Sequence, residues 1–313
     1  MDSSHIERWL ALWNETAGGR AALINLSENH TFRIDGPGGT RHILRLHRPG
    51  YQSREAIESE LAWVSALRET ALPVSRPLAG RDGNVVQQLG PDQFAVLFAF
   101  EQGQEPVPGE NLVWLFRIVG CFAAAAHKHV EGWIRPPAFV RPAWTAASIL
   151  DADGLWGDWR IAPHVGGETL KTLELLDAEL RARLGAYGTG TDRFGLIHAD
   201  MRLANLLVDG EAVSLIDFDD CGFGWFVYDL AASLSFLETS PDVPALRRSW
   251  IEGYTAIRPL SEEDLGMIDA MSLLRRMALL AWIGSHGETL LAAEHREHFA
   301  RDTARLAEVW LGS

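Results

Sequence analysis

The residues best suited to chemistry are crowded between His198 and Asp220: Asp200 follows His198 by two positions, Asn205 follows Asp200 by five, and Asp217 comes twelve further on. Between Asn205 and Asp217 lie two apolar runs, Leu206 to Val208 and Val213 to Ile216, around an Asp209-Gly210 pair. That pattern is the strongest short-range signal for a tight β-hairpin. A hairpin brings its outer ends together, so the Asn205 amide and the Asp217 carboxylate should meet at one end, with Asp200 on the loop just before. Oxygen donors of this kind suit a hard cation such as Mg²⁺, held by one or two protein groups plus substrate phosphates. The spacing His-x-Asp-x-x-x-x-Asn with a later Asp also fits phosphoryl transfer, in which the first Asp accepts the proton of the attacking hydroxyl while the Asn and the second Asp hold magnesium. On this reading Asp200 is the base, Asn205 and Asp217 are the metal ligands, and Arg202 faces the transferring group. Asp209 and Asp229 are expected to be a turn residue and a helix N-cap. Asp219 and Asp220 stand beside the reaction centre, either to bind a cationic acceptor or to bond backbone amides in the turn.

The stretch resembles the aminoglycoside phosphotransferase family, a branch of the protein-kinase-like superfamily that also holds choline and homoserine kinases. Members read His-Gly-Asp-x-x-x-x-Asn, then Ile-Asp-Phe or Ile-Asp-Trp, then Tyr-Asp-Leu-Ala. Here Ala199 stands for the glycine, and Ile216-Asp217-Phe218 and Tyr228-Asp229-Leu230-Ala231 are kept. The resemblance implies ATP as phosphoryl donor, Mg²⁺, and a small-molecule hydroxyl acceptor. It also implies a hinge at Phe100 and Glu101 whose backbone bonds adenine in a cleft between two lobes, and it matches Ser27 to His30, with Asn29, to the family's short nucleotide loop.

Elements that must position these groups can be traced along the chain. Ile6, Trp9, Leu10 and Trp13 predict a short amphipathic helix over residues 4 to 16. Strands are predicted at 22–26, 31–35, 41–46, 85–89 and 94–100, a five-stranded sheet. The third of them should carry the cation that pairs with nucleotide phosphates, usually Lys. The chain's two lysines are Lys128 and Lys171, so Arg45 takes that part by position; Arg grips phosphate bidentately and is not a geometric copy of Lys. A helix over 54–69, with Ser53 as N-cap, places Glu60 beside its apolar stripe to orient Arg45. The polar run Phe100 to Gln104, then Pro106 and Pro108, marks a boundary. The expected fold is α+β and protein-kinase-like, with an N-terminal nucleotide-binding lobe at 1–100 and a helical lobe at 101–313 carrying the catalytic loop. Within the latter, helices are predicted at 111–129, 169–184 and 269–286, the last nearly apolar except for Arg275 and Arg276. His127 and His129 do not share a helical face and are expected to cap or pack. Residues 131–168, rich in Trp and Pro, are a substrate-side insertion or a loop with core anchors.

At 313 residues the chain is long enough for two cores. It is 47% hydrophobic and 22% charged, ordinary for a globular protein. No apolar run reaches the ~18 residues of a membrane helix, and the start lacks signal-peptide regions, so no membrane partner and a cytoplasmic location are expected. Cys121 and Cys221 indicate neither a disulfide framework nor a zinc site. A net charge of -14 argues against nucleic acid as partner and leaves room for a cationic acceptor; the oligomeric state is unspecified. The expected activity is transfer of the ATP γ-phosphoryl group to a small-molecule hydroxyl. The alternatives are a Ser/Thr protein kinase of the same fold and a non-catalytic nucleotide-binding module.

Overall fold

Period-two alternation in the early strands gives them two chemically different faces, and the first half of the chain is built on that difference. In a computed structural model that describes residues 3–26 and 29–312, strands β1 (Arg20–Leu26), β2 (Asn29–Asp35) and β3 (Arg41–His47) form an antiparallel meander. Strands β4 (Pro77–Leu78), β5 (Gln87–Gly90) and β6 (Gln93–Ala99) extend it, β6 pairing with β3, β4 and β5. Among the described residues the sheet therefore has six strands, not five. The additional one is two residues long and starts on a proline, too short to show alternation.

One face of this sheet buries Phe32, Ile34, Leu44, Leu46, Ala95 and Leu97 against Leu10 and Trp13, which belong to or follow helix α1 (Ser3–Leu10). The other face packs Val96 and Phe98 against Ile57 and Leu61 of helix α2 (Arg54–Glu69). Ser53 caps α2, its Oγ accepting from the Ala56 amide at 3.2 Å. Helix α1 ends at Leu10, short of the expected 16, and the chain turns there.

The chain falls into two units, the first comprising 1–105, 134–141 and 206–219 and the second 106–133, 142–205 and 220–313. The later segments of the first unit are held by backbone bonds. Strands β8 (Leu206–Asp209) and β9 (Ala212–Leu215) form the hairpin, with Leu206 opposite Leu215 and Gly210 at φ +62° in the turn. Gln104 and Val208 exchange two N–H···O bonds of 2.9 Å, and the Leu215 amide donates to Pro73 O at 2.9 Å. A side chain at Gly103 (φ +130°) would put its Cβ 2.9 Å from the Val208 nitrogen, so only glycine lets the two strands approach.

The second unit is mainly helical: α3 (Val113–Gly132), α4 (Ala146–Leu150), α5 (Gly167–Tyr187), α6 (Tyr228–Ser233), α7 (Val243–Thr255), α8 (Glu262–Gly266), α9 (Ile268–Ser285), α10 (Leu290–His295) and α11 (Phe299–Leu311). Between them, β7 (Phe194–Ile197) pairs antiparallel with β10 (Gly222–Trp225). Its core gathers Leu173, Leu176 and Leu180 of α5 with Met271, Leu274 and Met277 of α9. Trp144 and Trp159 are buried there, anchoring the irregular stretch before α5. Among the described residues, no helix is long and apolar enough to cross a membrane.

Candidate active site

In the first unit the side chains meet around Arg45. Strand alternation turns Ile43, Arg45 and His47 toward α2, so the guanidinium is buried, 5% exposed, in an otherwise apolar layer. A charge there needs partners. Arg45 Nη2 bonds both oxygens of Glu60 at 2.7 Å, and its Nη1 reaches Asp217 Oδ1 at 3.3 Å. Asp219 Oδ1 lies 3.8 Å from Nη1. Burial opposes the charge, but Glu60, Asp219 and Asp217 together raise the pKa of Arg45, keeping it protonated. Phe98 sits beneath it, 5.1 Å from ring centroid to guanidinium.

Asp217 is presented outward by its neighbour. Phe218 is buried edge-on against Trp63 of α2, 5.5 Å between centroids, while the Asp217 side chain is 49% exposed. The backbone of Asp217 is left-handed, φ +60°, a conformation Asp tolerates better than most residues. Asp219, which its sequence position left either to bind a cationic acceptor or to bond backbone amides in the turn, is met here by side-chain donors. It is buried, accepting from Asn29 Nδ2 at 2.9 Å and Gln52 Nε2 at 2.8 Å, and Arg141 donates to its carbonyl. Burial alone would push its carboxyl up, yet Arg45, His47 and Arg141 hold it below the usual carboxylate range. Asn29 is thus fixed at the start of β2. Ser27 and Glu28, the rest of the expected nucleotide loop, lie outside the described residues. Phe100 lies under the Arg41 guanidinium at 4.4 Å, and Glu101 is half-buried in the irregular segment leading to Gln104.

His47 has a measurable consequence. Burial first, then Arg45, pushes its pKa down from 6.5 to about 3. Below pH 6.5 the unfolded chain takes up a proton here that the folded chain refuses until about pH 3, so stability falls as pH falls through that window. Denaturant unfolding between pH 6 and 4 should show the wild type losing about 1.4 kcal/mol per pH unit more than His47→Gln. Equal slopes would show that His47 is protonated in the folded protein.

In the second unit the loop after β7 is clamped from two sides. Asp229, in the first turn of α6, is fully buried; it accepts the His198 amide at 3.0 Å and the Ala199 amide at 2.8 Å. It is therefore not an N-cap: its carboxylate reaches the loop, and His127 Nε2 joins it at 3.0 Å with Tyr254 Oη behind at 3.0 Å. His127 packs, as the sequence allowed, stacked 4.6 Å from Phe226. On the other side Arg275 of α9 donates to Asp200 Oδ1, to Ala199 O at 3.2 Å and to Ser235 Oγ at 2.9 Å. Ala199, standing where the resembling family has glycine, is held at φ +66°, which costs a non-glycine residue roughly 1–2 kcal/mol.

Asp200 gathers further donors. Asn205 Nδ2 bonds its Oδ2 and its carbonyl, both at 2.7 Å, and Arg202 Nε bonds Oδ2 at 3.2 Å. Burial works against ionisation, but Arg202 and Arg275 outweigh it and hold the Asp200 carboxyl below its ordinary value. With both Asn205 donor bonds spent on Asp200, the amide oxygen is the end it offers a cation. An amide oxygen is a hard donor of the kind magnesium takes, and so is the half-exposed carboxylate of Asp217 in the first unit. Among the described residues no group of three or more His, Cys, Asp or Glu side chains is placed to hold a metal ion.

Residues 22–264 match the profile of the APH phosphotransferase enzyme family. The chain belongs to that family. This phosphotransferase is accordingly a small-molecule kinase with a hydroxyl group as acceptor, and its fold is protein-kinase-like. It is 36% identical to a microcompartment-associated aminopropanol kinase of known structure, with a TM-score of 0.90 over 99% of this chain and 98% of that one. It is 26% identical to the amicoumacin kinase of Bacillus subtilis strain 168 over 65% of this chain and 59% of that protein. A homoserine kinase of Methylobacillus flagellatus is 26% identical over 78% of this chain and 72% of its own length.

The roles of Arg275, Gln52 and Arg141 escape sequence reasoning. For Arg275 a signal exists: two arginines in an apolar helix must have buried acids to meet.

Proposed function

We propose that this phosphotransferase moves the γ-phosphoryl group of ATP to the hydroxyl of a small amino alcohol, in the cytoplasm and with Mg²⁺ as cofactor. Asp200 takes the hydroxyl proton as the oxygen bonds to the γ-phosphorus and the bridging P–O bond breaks, releasing ADP. Asn205 and Asp217 would hold the magnesium ion, which would supply charge to offset that of the phosphates. Arg45, oriented by Glu60, anchors the nucleotide phosphates, and Asn29 supports that end of the site through Asp219. Arg202 leaves Asp200 for the transferring group as charge develops. Phe100 and Glu101 supply the hinge for adenine.

The observation that carries this reading is the setting of Asp200: a carboxylate whose position is over-determined by Arg275, Arg202 and Asn205. Positioning and charge are what phosphoryl transfer asks of a protein. The acceptor class follows the 36% identity, across nearly the whole length, to the aminopropanol kinase. The net charge of -14 favours encounter with a cation.

The test is ADP release by the purified protein with ATP and Mg²⁺, comparing 1-amino-2-propanol, ethanolamine, choline, homoserine and a neutral diol. The amino alcohols should exceed the diol in kcat/KM by at least tenfold, and chelating Mg²⁺ should stop turnover. Equal rates with the diol would remove the amine from the proposal.

A further inference from the structure

Arg275 is the largest charged side chain buried completely in this protein, 1% exposed in the middle of an apolar helix. Burying a guanidinium costs several kcal/mol unless its donors are matched. Every one of its nitrogens is matched, and the partners converge on one place. Nη2 donates to Asp200 Oδ1, Nη1 to the carbonyl of Ala199 and Nε to Ser235 Oγ, while the plane lies over Trp156 at 5.4 Å. Ser235 is itself fixed, its Oγ donating to Ala232 O at 2.7 Å.

The two residues Arg275 grips are the ones with most freedom to be wrong. Ala199 holds a left-handed backbone that its side chain disfavours. Asp200 could rotate about its side-chain torsions, and its other oxygen is already shared between Asn205 and Arg202. Asn205 and Arg202 both lie within five residues of Asp200 and move with the same loop. Arg275 reaches in from α9, 75 positions away, and so ties the loop to the rigid core.

We propose that Arg275 is the positioning residue for the base, locking the Asp200 carboxylate and the Ala199 peptide in the orientation that phosphoryl transfer requires. It does not touch substrate. This rests on the reading of Asp200 as base, because a carboxylate with another role would have no use for such orientation. A misplacement of about 1 Å at a reacting group costs on the order of 10²-fold in rate. Ground-state binding of nucleotide and acceptor does not use Arg275, so the loss should appear in kcat.

The experiment is steady-state kinetics on Arg275→Met, Arg275→Lys, Ser235→Ala and Asp200→Asn. Arg275→Met should lower kcat by about 10²-fold, with KM for ATP and acceptor within threefold. Arg275→Lys, which keeps the charge and one donor, should recover to within about tenfold of wild type, and Ser235→Ala, which frees only Nε, should lose roughly three- to tenfold. A folded Arg275→Met with kcat within threefold of wild type overturns the inference, as does a loss matched by a parallel rise in KM. If Arg275→Met does not fold, Ser235→Ala decides, and unchanged kcat there overturns it. Asp200→Asn separates the two claims: if it stays active the base reading falls, and if it is inactive while Arg275→Met is not, only the role of Arg275 falls.

Discussion

Asp200→Asn should lower turnover by about 10²- to 10⁴-fold, the worth of a positioned general base, while nucleotide binding is retained. The argument is local. Asp200 is 14% exposed and ionised, held by Arg275 on one oxygen and by Asn205 and Arg202 on the other. Asparagine keeps the volume and one acceptor but loses the charge and the proton affinity. Two arginines then face an uncharged group, so some stability is lost as well, about 1–3 kcal/mol. Calorimetric titration with ATP and Mg²⁺ separates the effects: binding within threefold of wild type beside collapsed turnover is the expected pair. Activity within tenfold of wild type would falsify the assignment of the base.

The second large effect is expected at Asp217. Asp217→Asn removes one negative charge from a half-exposed side chain whose left-handed backbone suits asparagine equally. Arg45 keeps Glu60 at 2.7 Å and Asp219 nearby, so the first unit should remain as stable as before. What is lost is the carboxylate proposed to hold magnesium, and Lewis-acid stabilisation is worth several kcal/mol, each 1.4 kcal/mol being tenfold in rate. The variant should lose about 10²- to 10³-fold in kcat/KM and need far more Mg²⁺ for half-maximal activity. An unchanged magnesium requirement would take Asp217 out of the metal site.

How far the sequence speaks depends on where each partner lies. The hairpin is legible because its signal, Asp209-Gly210 between apolar runs, is contained in eleven residues, 206–216. Helix α2 is legible for the same reason: Ser53 and the spacing of Ile57, Leu61 and Val64 mark both its start and its buried face. Glu60 and Arg45 are separated by fifteen positions, close enough for strand and helix periodicity to bring them to one layer. Asp219 and Asn29 are 190 apart, and no period links them. Asp229 is the instructive case. Its place at the start of α6 predicts a cap, and a cap is a local act. The carboxylate instead bonds amides thirty and thirty-one positions earlier, because that loop has buried N–H groups and no strand to satisfy them. The substitution of Ala199 for glycine hides the left-handed turn there, since nothing in an alanine announces a positive φ.

The first unit is assembled from three stretches, of which the last, 206–219, comes more than one hundred residues after the first has ended. Ribosomes add ~5–20 residues per second, so about 6 to 23 s separate the emergence of residue 105 from that of residue 219. During that interval the edges at Pro73 and Gln104, which finally pair with the hairpin, have no mate from their own chain. Unpaired edges of this kind invite strands from elsewhere. Nascent chains stalled in this window are therefore where chaperone dependence and low yield on overexpression should concentrate, and a fragment ending near residue 105 should aggregate where the whole chain stays dispersed.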